Sequence, residues 1–299
     1  MVTWLRRLLL VAVLAAAAWY LVTRWHQVWH TLSAVSPVAA VAGQVAVLAA
    51  MATATYGWLV LVNEFGPPVG AVAGGRIYLV GQLGKYLPGS VWAYLLQMEL
   101  GRQAGVARAR VFTASLVQLG VSLVAALALG AAIWPWLLAA LPLGLAALHP
   151  AVLTWSTSRV LRLLRRPPLE HRLRWSTVAR VAGSAVATYL LYGVHLWLLS
   201  GAQLLLCTGA IAVGLNAGLL LFLLPSGAGL RDVVVAAVLA TTLGPTRAAA
   251  FAVLSRLMFT VGDLASAGIA AGLARYQRPA SGRTVRSQGT PTSCTPRST

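Results

Sequence analysis

Apolar blocks recur along nearly the whole chain, each closed by a short stretch carrying arginine, glycine or proline. A run of about 20 apolar residues crosses the ~30 Å hydrocarbon core of a bilayer as a helix. In that solvent every backbone N–H and C=O must be paired within the protein, which leaves helices as the structure compatible with continuous apolar runs. The chain has 299 residues, 59% hydrophobic and only 9% charged, where a soluble domain carries about 25% charged residues. The expected fold is therefore all-α: a polytopic integral membrane bundle of about seven to eight spans plus a re-entrant broken-helix pair.

The net charge of +18 raises nucleic acid as a partner, but the placement of the arginines excludes it. They sit in short loops between apolar blocks and in the C-terminal tail, the positive-inside pattern. A nucleic-acid surface needs its basic residues gathered on a soluble module. A GC-rich genome is a further, non-functional source of arginine. Cys207 lies in an apolar block and Cys294 in the polar tail, so no disulfide is read, and no Cys/His spacing resembles a metal site. No cofactor is implied.

Arg6-Arg7 precede an apolar stretch from Leu8 to Val22, read as an uncleaved first helix with a cleaved signal peptide as the alternative. Trp25, His26 and Trp29 then form an interfacial aromatic belt. A second span runs from about Pro37 to Val62, followed by the turn Asn63 to Pro68. Residues 69–100 are irregular, with Gly70, Gly74, Gly75, Gly81 and Gly84 ahead of Lys85 and Pro88-Gly89, and an apolar restart at Val91-Trp92. Two half-helices meeting at a break, entering and leaving on one side, fit this better than one span. Further spans are expected near 111–132, 134–155, 178–200 and 202–224, then a short piece at 231–244 and a last helix at 247–273. Residues 1–274 thus form the membrane domain, and 275–299, rich in Arg, Ser, Thr and Pro, form a disordered basic tail.

Counting arginines orients the chain. With the N-terminus inside and 69–100 re-entrant, the inside receives Arg6, Arg7, Arg102, Arg108 and Arg110, the cluster from Arg159 to Arg174, and the tail. Arg24 and Arg247 stay outside. Both termini are then cytoplasmic. If 69–100 crosses fully, the 159–174 cluster falls outside, against the rule.

Lys85 is the only lysine, against 22 arginines. It sits in Gly84-Lys85-Tyr86-Leu87-Pro88-Gly89, where proline and glycine also break a helix. Two readings stand: a lysine snorkelling from a helix end, or a lipid- or substrate-contacting break in which Lys85 adds a cation to exposed backbone groups and Tyr86 and Trp92 line or seal the site. A second break, Pro225-Ser226-Gly227-Ala228-Gly229, is followed by Arg231-Asp232. Asp232 is favourable at a helix start by about 0.3–1 kcal/mol, so a cap-region charge is the plainer reading. Interruptions in both halves of a membrane chain point to a transport site, although glycine and proline are the only residues of weight the two segments share.

The last helix carries Arg256 and Asp263, two turns apart on one face. That separation is long for an ion pair, so each needs another partner. Gly262, Ser266 and Ala270 read as a close packing face, and His195, near Tyr189 and Tyr192, as a core histidine. The acids are Glu64, Glu99, Glu170, Asp232 and Asp263. They form no metal-binding pair, and no nucleophile–base constellation is visible, so the chain reads as non-enzymatic.

The two broken segments together resemble the transmembrane, flippase-like region of the lysylphosphatidylglycerol synthase family. The first hallmark looks like Gly84 to Gly89 with Val91-Trp92 following; the second resembles Pro225 to Asp232, where Glu is more usual than Asp at the last position. Ser255-Arg256-Leu257 matches a weaker third element, and the likeness covers roughly residues 5–273. It implies a membrane bundle, with lipid translocation as the best-known activity of this region. The family's aminoacyl transfer belongs to a separate soluble domain that these residues do not contain, so lysyl transfer is not implied.

The expectation is a plasma-membrane protein that moves, or helps move, a phospholipid or lipid-linked headgroup between leaflets. Lys85, Tyr86, Arg231 and Arg256 would hold an anionic headgroup. Asp232 and Asp263 would balance the charge, and Gly84, Pro88, Gly89, Trp92, Pro225, Gly227 and Gly229 would shape the breaks. The alternative is an accessory or catalytic subunit of polyprenyl-phosphate-linked glycan assembly. A separately encoded soluble enzyme is a further candidate partner.

Overall fold

A computed structural model describes residues 29, 31, 33–86, 91–163, 172–220 (side chains to 217) and 229–276. The expected first helix, His26, Pro88, Gly89, Pro225, Gly227 and the basic tail from 277 onward lie outside them, while residues 275 and 276, expected in that tail, continue the last helix.

Helix α1 (Pro37–Glu64) opens with Ser36, whose hydroxyl accepts from the Ala39 amide at 3.1 Å, and with Pro37 in the first turn. At 1.5 Å per residue its 28 residues reach about 42 Å, more than a bilayer core. Together with α4 (Arg108–Gly130), α7 (Trp175–Ser200) and α10 (Pro245–Tyr276), it makes four helices among the described residues that are long and apolar enough to cross a membrane. Their outward faces are apolar as well: Val38, Val41 and Val45 on α1 and Leu257, Val261 and Leu264 on α10 are all exposed. Contiguous exposed apolar surface of this kind suits lipid rather than water. The protein is a multi-pass helical membrane protein.

The remaining elements are shorter. The described part of helix α8 (Leu204–Leu220) reaches about 26 Å, and helix α9 (Leu230–Leu243) about 21 Å, short of a full crossing. The span expected at 134–155 is not one helix. A 3-10 turn (Pro135–Ala139), the short helix α5 (Leu141–Ala147) and helix α6 (Pro150–Leu163) replace it. Prolines 135, 142 and 150 each remove an amide donor and crowd the preceding turn, so hydropathy alone overstated that run. Helix α6 is amphipathic: Leu153, Thr157 and Leu161 are buried at helical spacing, while Arg159 and Arg162 are exposed.

The irregular segment begins as helix α2 (Ala71–Gly75), continues as a π-helical turn (Arg76–Val80), tightens to a 3-10 turn (Leu83–Tyr86) and resumes as helix α3 (Trp92–Gln103). Its two limbs fold back on each other. A side chain at Gly84 would stand 2.6 Å from the Ala93 amide nitrogen, and one at Gly81 would meet the Gln97 side chain. Because 84 faces 93 and 81 faces 97, the limbs are antiparallel; Gly84 is required by contact with the opposing backbone and Gly81 by contact with the Gln97 side chain.

One end of the bundle collects the arginines. Arg110 donates to the Val62 and Pro67 carbonyls, Glu64 accepts from Thr177, and Glu99 pairs with Arg102 and Arg108, each at 2.6 Å. Arg247 lies at the other end beside Val35 and Ser200. Among the described residues, Arg102, Arg108 and Arg110 thus lie at the end opposite Arg247.

Candidate functional site

Residues beside the first break and at the start of α9, far apart in sequence, bring their charges to one face of α10. Ser255, Arg256, Phe259 and Asp263 follow one another at spacings of one, three and four. The first break supplies Lys85 and Tyr86 from the 3-10 turn, and the first turn of α9 supplies Arg231 and Asp232.

Lys85 Nζ lies 2.6 Å from Asp263 Oδ2, and the Tyr86 hydroxyl donates to the same oxygen at 2.7 Å. Asp263 is almost wholly buried, whereas 40% of the Lys85 side chain is accessible. The snorkelling reading of Lys85 therefore gives way to an ion pair with a buried acid. Arg256 Nη1 donates to Asp232 Oδ2 at 3.0 Å across the α9–α10 contact. Arg256 and Asp263 each have a partner on another element, as their two-turn separation demands. Asp232 is a pairing residue as well as a first-turn acid.

Arg231 differs from the other two cations. It is 9% exposed and has no carboxylate partner among the described residues. Its Nη2 donates to Ser255 Oγ at 3.2 Å, and the guanidinium stacks 3.8 Å from the Phe259 ring centroid. Its Nε has no hydrogen-bond partner among the described residues. A cation over an aromatic face gains about 0.5–2 kcal/mol, less than the penalty for burying an uncompensated charge. The N-terminal end of α9 adds positive potential at the same place. Three cations and two carboxylates leave the cluster one charge positive, and the excess falls on Arg231.

Behind Arg231, His195 Nε2 lies 3.1 Å from Ser255 Oγ and Nδ1 lies 3.2 Å from the Gly43 carbonyl. Because Arg231 donates to Ser255 Oγ, the serine proton is free for Nε2, leaving Nδ1–H to donate to Gly43. The Gly43 carbonyl can only accept, which places a hydrogen on Nδ1. Gly43 permits the approach, since a side chain there would stand 3.3 Å from Nδ1. His195 is a satisfied core residue that orients Ser255.

The shaping residues divide. Gly84 lets the limbs touch, and Gly229 caps α9 at φ +97°, a conformation glycine adopts without steric penalty. Trp92 opens α3 and is exposed. Gly262, Ser266 and Ala270 are buried; Gly262 closes on Val47, and Ser266 lies against Met51 at 3.6 Å, both on α1. Sequence reasoning missed Phe259 and Tyr192, whose rings pack at 4.5 Å beside the cluster. Spacing from Arg256 along α10 offered a signal for Phe259; nothing local marked Tyr192.

No protein-family model matches the chain, and no curated protein matches it.

Proposed function

We propose that this protein moves, or helps move, an anionic phospholipid or lipid-linked headgroup between the leaflets of the plasma membrane, without catalysing a covalent reaction, and with both termini in the cytoplasm. One observation carries the reading: Arg231, nine-tenths buried, lacks an acid among the described residues and keeps an unpaired Nε. A phosphate would complete it, because the guanidinium fork matches phosphate oxygens two at a time. Lys85 and Arg256 stand within electrostatic reach of Arg231, each neutralised by its own aspartate. In this reading the headgroup binds first at Arg231 and then competes with Asp263 and Asp232 for the other two cations, which loosens both breaks together. The likeness to the flippase-like region of the lysylphosphatidylglycerol synthase family supports the same activity, and the apolar outer faces of α1 and α10 give acyl chains a surface to follow.

The test is reconstitution of the purified chain in liposomes carrying a fluorescent phosphatidylglycerol, with quenching of the outer leaflet reporting exchange. Arg231→Gln is expected to slow exchange about tenfold or more, the scale of a lost hydrogen bond to a charged group. Exchange at the wild-type rate in both Arg231→Gln and Lys85→Ala refutes the site. Co-purification of a soluble enzyme with the chain tests whether it acts as a partner subunit.

A further inference from the structure

A second compartment lies beside the ionic cluster and has different chemistry. A cavity of about 210 Å³ opens between α1, α2 with its π-helical extension, α3, α4, α7 and α8. It has room for roughly seven waters at ~30 Å³ each, less than the ~300–1,000 Å³ of a drug-sized pocket. Tyr78, Tyr94, Tyr192, Gln82, Gln97 and Gln118 face it, and the lining includes no Asp, Glu, Lys, Arg or His.

Several of these groups are held in place by the protein and still have capacity to spare. Gln118 donates to the Ala54 carbonyl at 2.8 Å, which fixes its amide. Trp58 donates to Ser115 Oγ at 2.9 Å, and Ser115 donates to Gln97 Oε1 at 2.7 Å, so the Gln97 Nε2 donors face elsewhere. The Tyr189 hydroxyl is engaged by Ser122 and Asn216, whereas those of Tyr94 and Tyr192 have no hydrogen-bond partner among the described residues. Oriented amides and phenols without charge suit a ligand that both donates and accepts hydrogen bonds, while the tyrosine rings offer apolar faces to its C–H groups. The lining offers no full charge to balance a cation or an anion, which favours a neutral ligand. Tyr192 joins the two compartments. It lines the cavity, and its ring packs 4.5 Å from that of Phe259, on which the Arg231 guanidinium stacks.

We infer that this cavity is a binding subsite for a neutral polyhydroxylated group, a sugar or polyol the size of one ring, next to the place where a phosphate would sit. That the ring is carried by a lipid rests on the transport reading above; the chemistry of the cavity does not.

The experiment measures binding to the purified full chain in detergent by native mass spectrometry. The probes are diacylglycerol, glucosyl-diacylglycerol and phosphatidic acid with identical acyl chains. Wild type is expected to bind the glucosyl lipid more tightly than diacylglycerol. Tyr94→Phe and Tyr192→Phe, which remove one oxygen each and keep the ring, are expected to reduce that advantage by about threefold to tenfold per hydroxyl and to leave the thermal midpoint unchanged. Binding of phosphatidic acid reports separately on the phosphate reading and is expected to weaken in Arg231→Gln alone. Methyl glucoside displacing the glucosyl lipid supports the subsite and makes a soluble sugar its source; failure to displace it supports a lipid-borne one. Equal binding of glucosyl-diacylglycerol and diacylglycerol, or an advantage untouched by both tyrosine variants, overturns the inference whatever phosphatidic acid does.

Discussion

The Lys85–Asp263 pair is the contact by which the first break is tied to α10, and a double-mutant cycle measures it. Asp263 Oδ2 accepts from both Lys85 Nζ and the Tyr86 hydroxyl. Breaking a fully buried ion pair costs about 3–5 kcal/mol, and a hydrogen bond to a charged group about 1.5–3 kcal/mol. Lys85 keeps 40% of its side chain accessible, so solvent relieves much of its loss. Asp263→Leu is therefore expected to destabilise the protein by about 2 kcal/mol, mostly through the stranded ammonium. At about 2–4 °C per kcal/mol for larger domains, its thermal midpoint in a fixed detergent falls by about 4–8 °C. Adding Lys85→Met removes the stranded charge, and the double variant recovers at least half of that loss. The assay is thermal unfolding followed by tryptophan fluorescence for wild type, both single variants and the double. Additivity within about 0.3–0.5 kcal/mol means that the two side chains do not interact, and refutes the pairing.

Gly84→Ala places a methyl group against the Ala93 backbone and is expected to destabilise by about 1–3 kcal/mol. Protease cleavage between residues 86 and 92 then accelerates; an unchanged cleavage rate contradicts the close crossing of the two limbs. Ser115→Ala leaves the Trp58 indole N–H and the Gln97 carbonyl oxygen without their shared partner, an expected loss of about 1–3 kcal/mol that Ser115→Thr largely restores in the same unfolding assay. At the arginine-rich end, hydrogen bonds from Arg102 and then Arg108 hold the Glu99 carboxyl at about 2, against an ordinary 4.5. A depressed folded-state value means that this pairing stabilises the protein fully above pH 4.5 and loses its contribution as pH falls toward 2. Carbon-13 NMR of the Glu99 carboxyl should show no titration between pH 6 and 4 in wild type and a rise toward the ordinary range in Arg108→Ala.

Legibility in the sequence followed the range of the interaction responsible. Long apolar runs identify α1, α4, α7 and α10, because a backbone in lipid has to satisfy its own hydrogen bonds, and that requirement acts within one segment. Glycine and proline likewise mark the break before Trp92, since their effect on φ and on amide donors is local. The run at 134–155 misled because its apolar content was weighed above Pro135, Pro142 and Pro150, which fragment it. Gln82, Gln97 and Gln118, amides within apolar surroundings, were the visible trace of the polar cavity, but none of them signals it alone.

From the sequence came the membrane class, the interruption ahead of Trp92 and the need of Arg256 and Asp263 for separate partners. The tertiary structure decided which charges are spent on one another and which remains. Tyr86 meets Asp263 across 177 positions, and Arg231, beside Asp232 in sequence, yields that aspartate to Arg256 and is left with Ser255 and Phe259. Ion pairing depends on distance in space and on the dielectric around it, and neither is encoded near the charged residue itself. A cavity is more remote still from the sequence, because its walls come from six elements and its chemistry exists only once they pack.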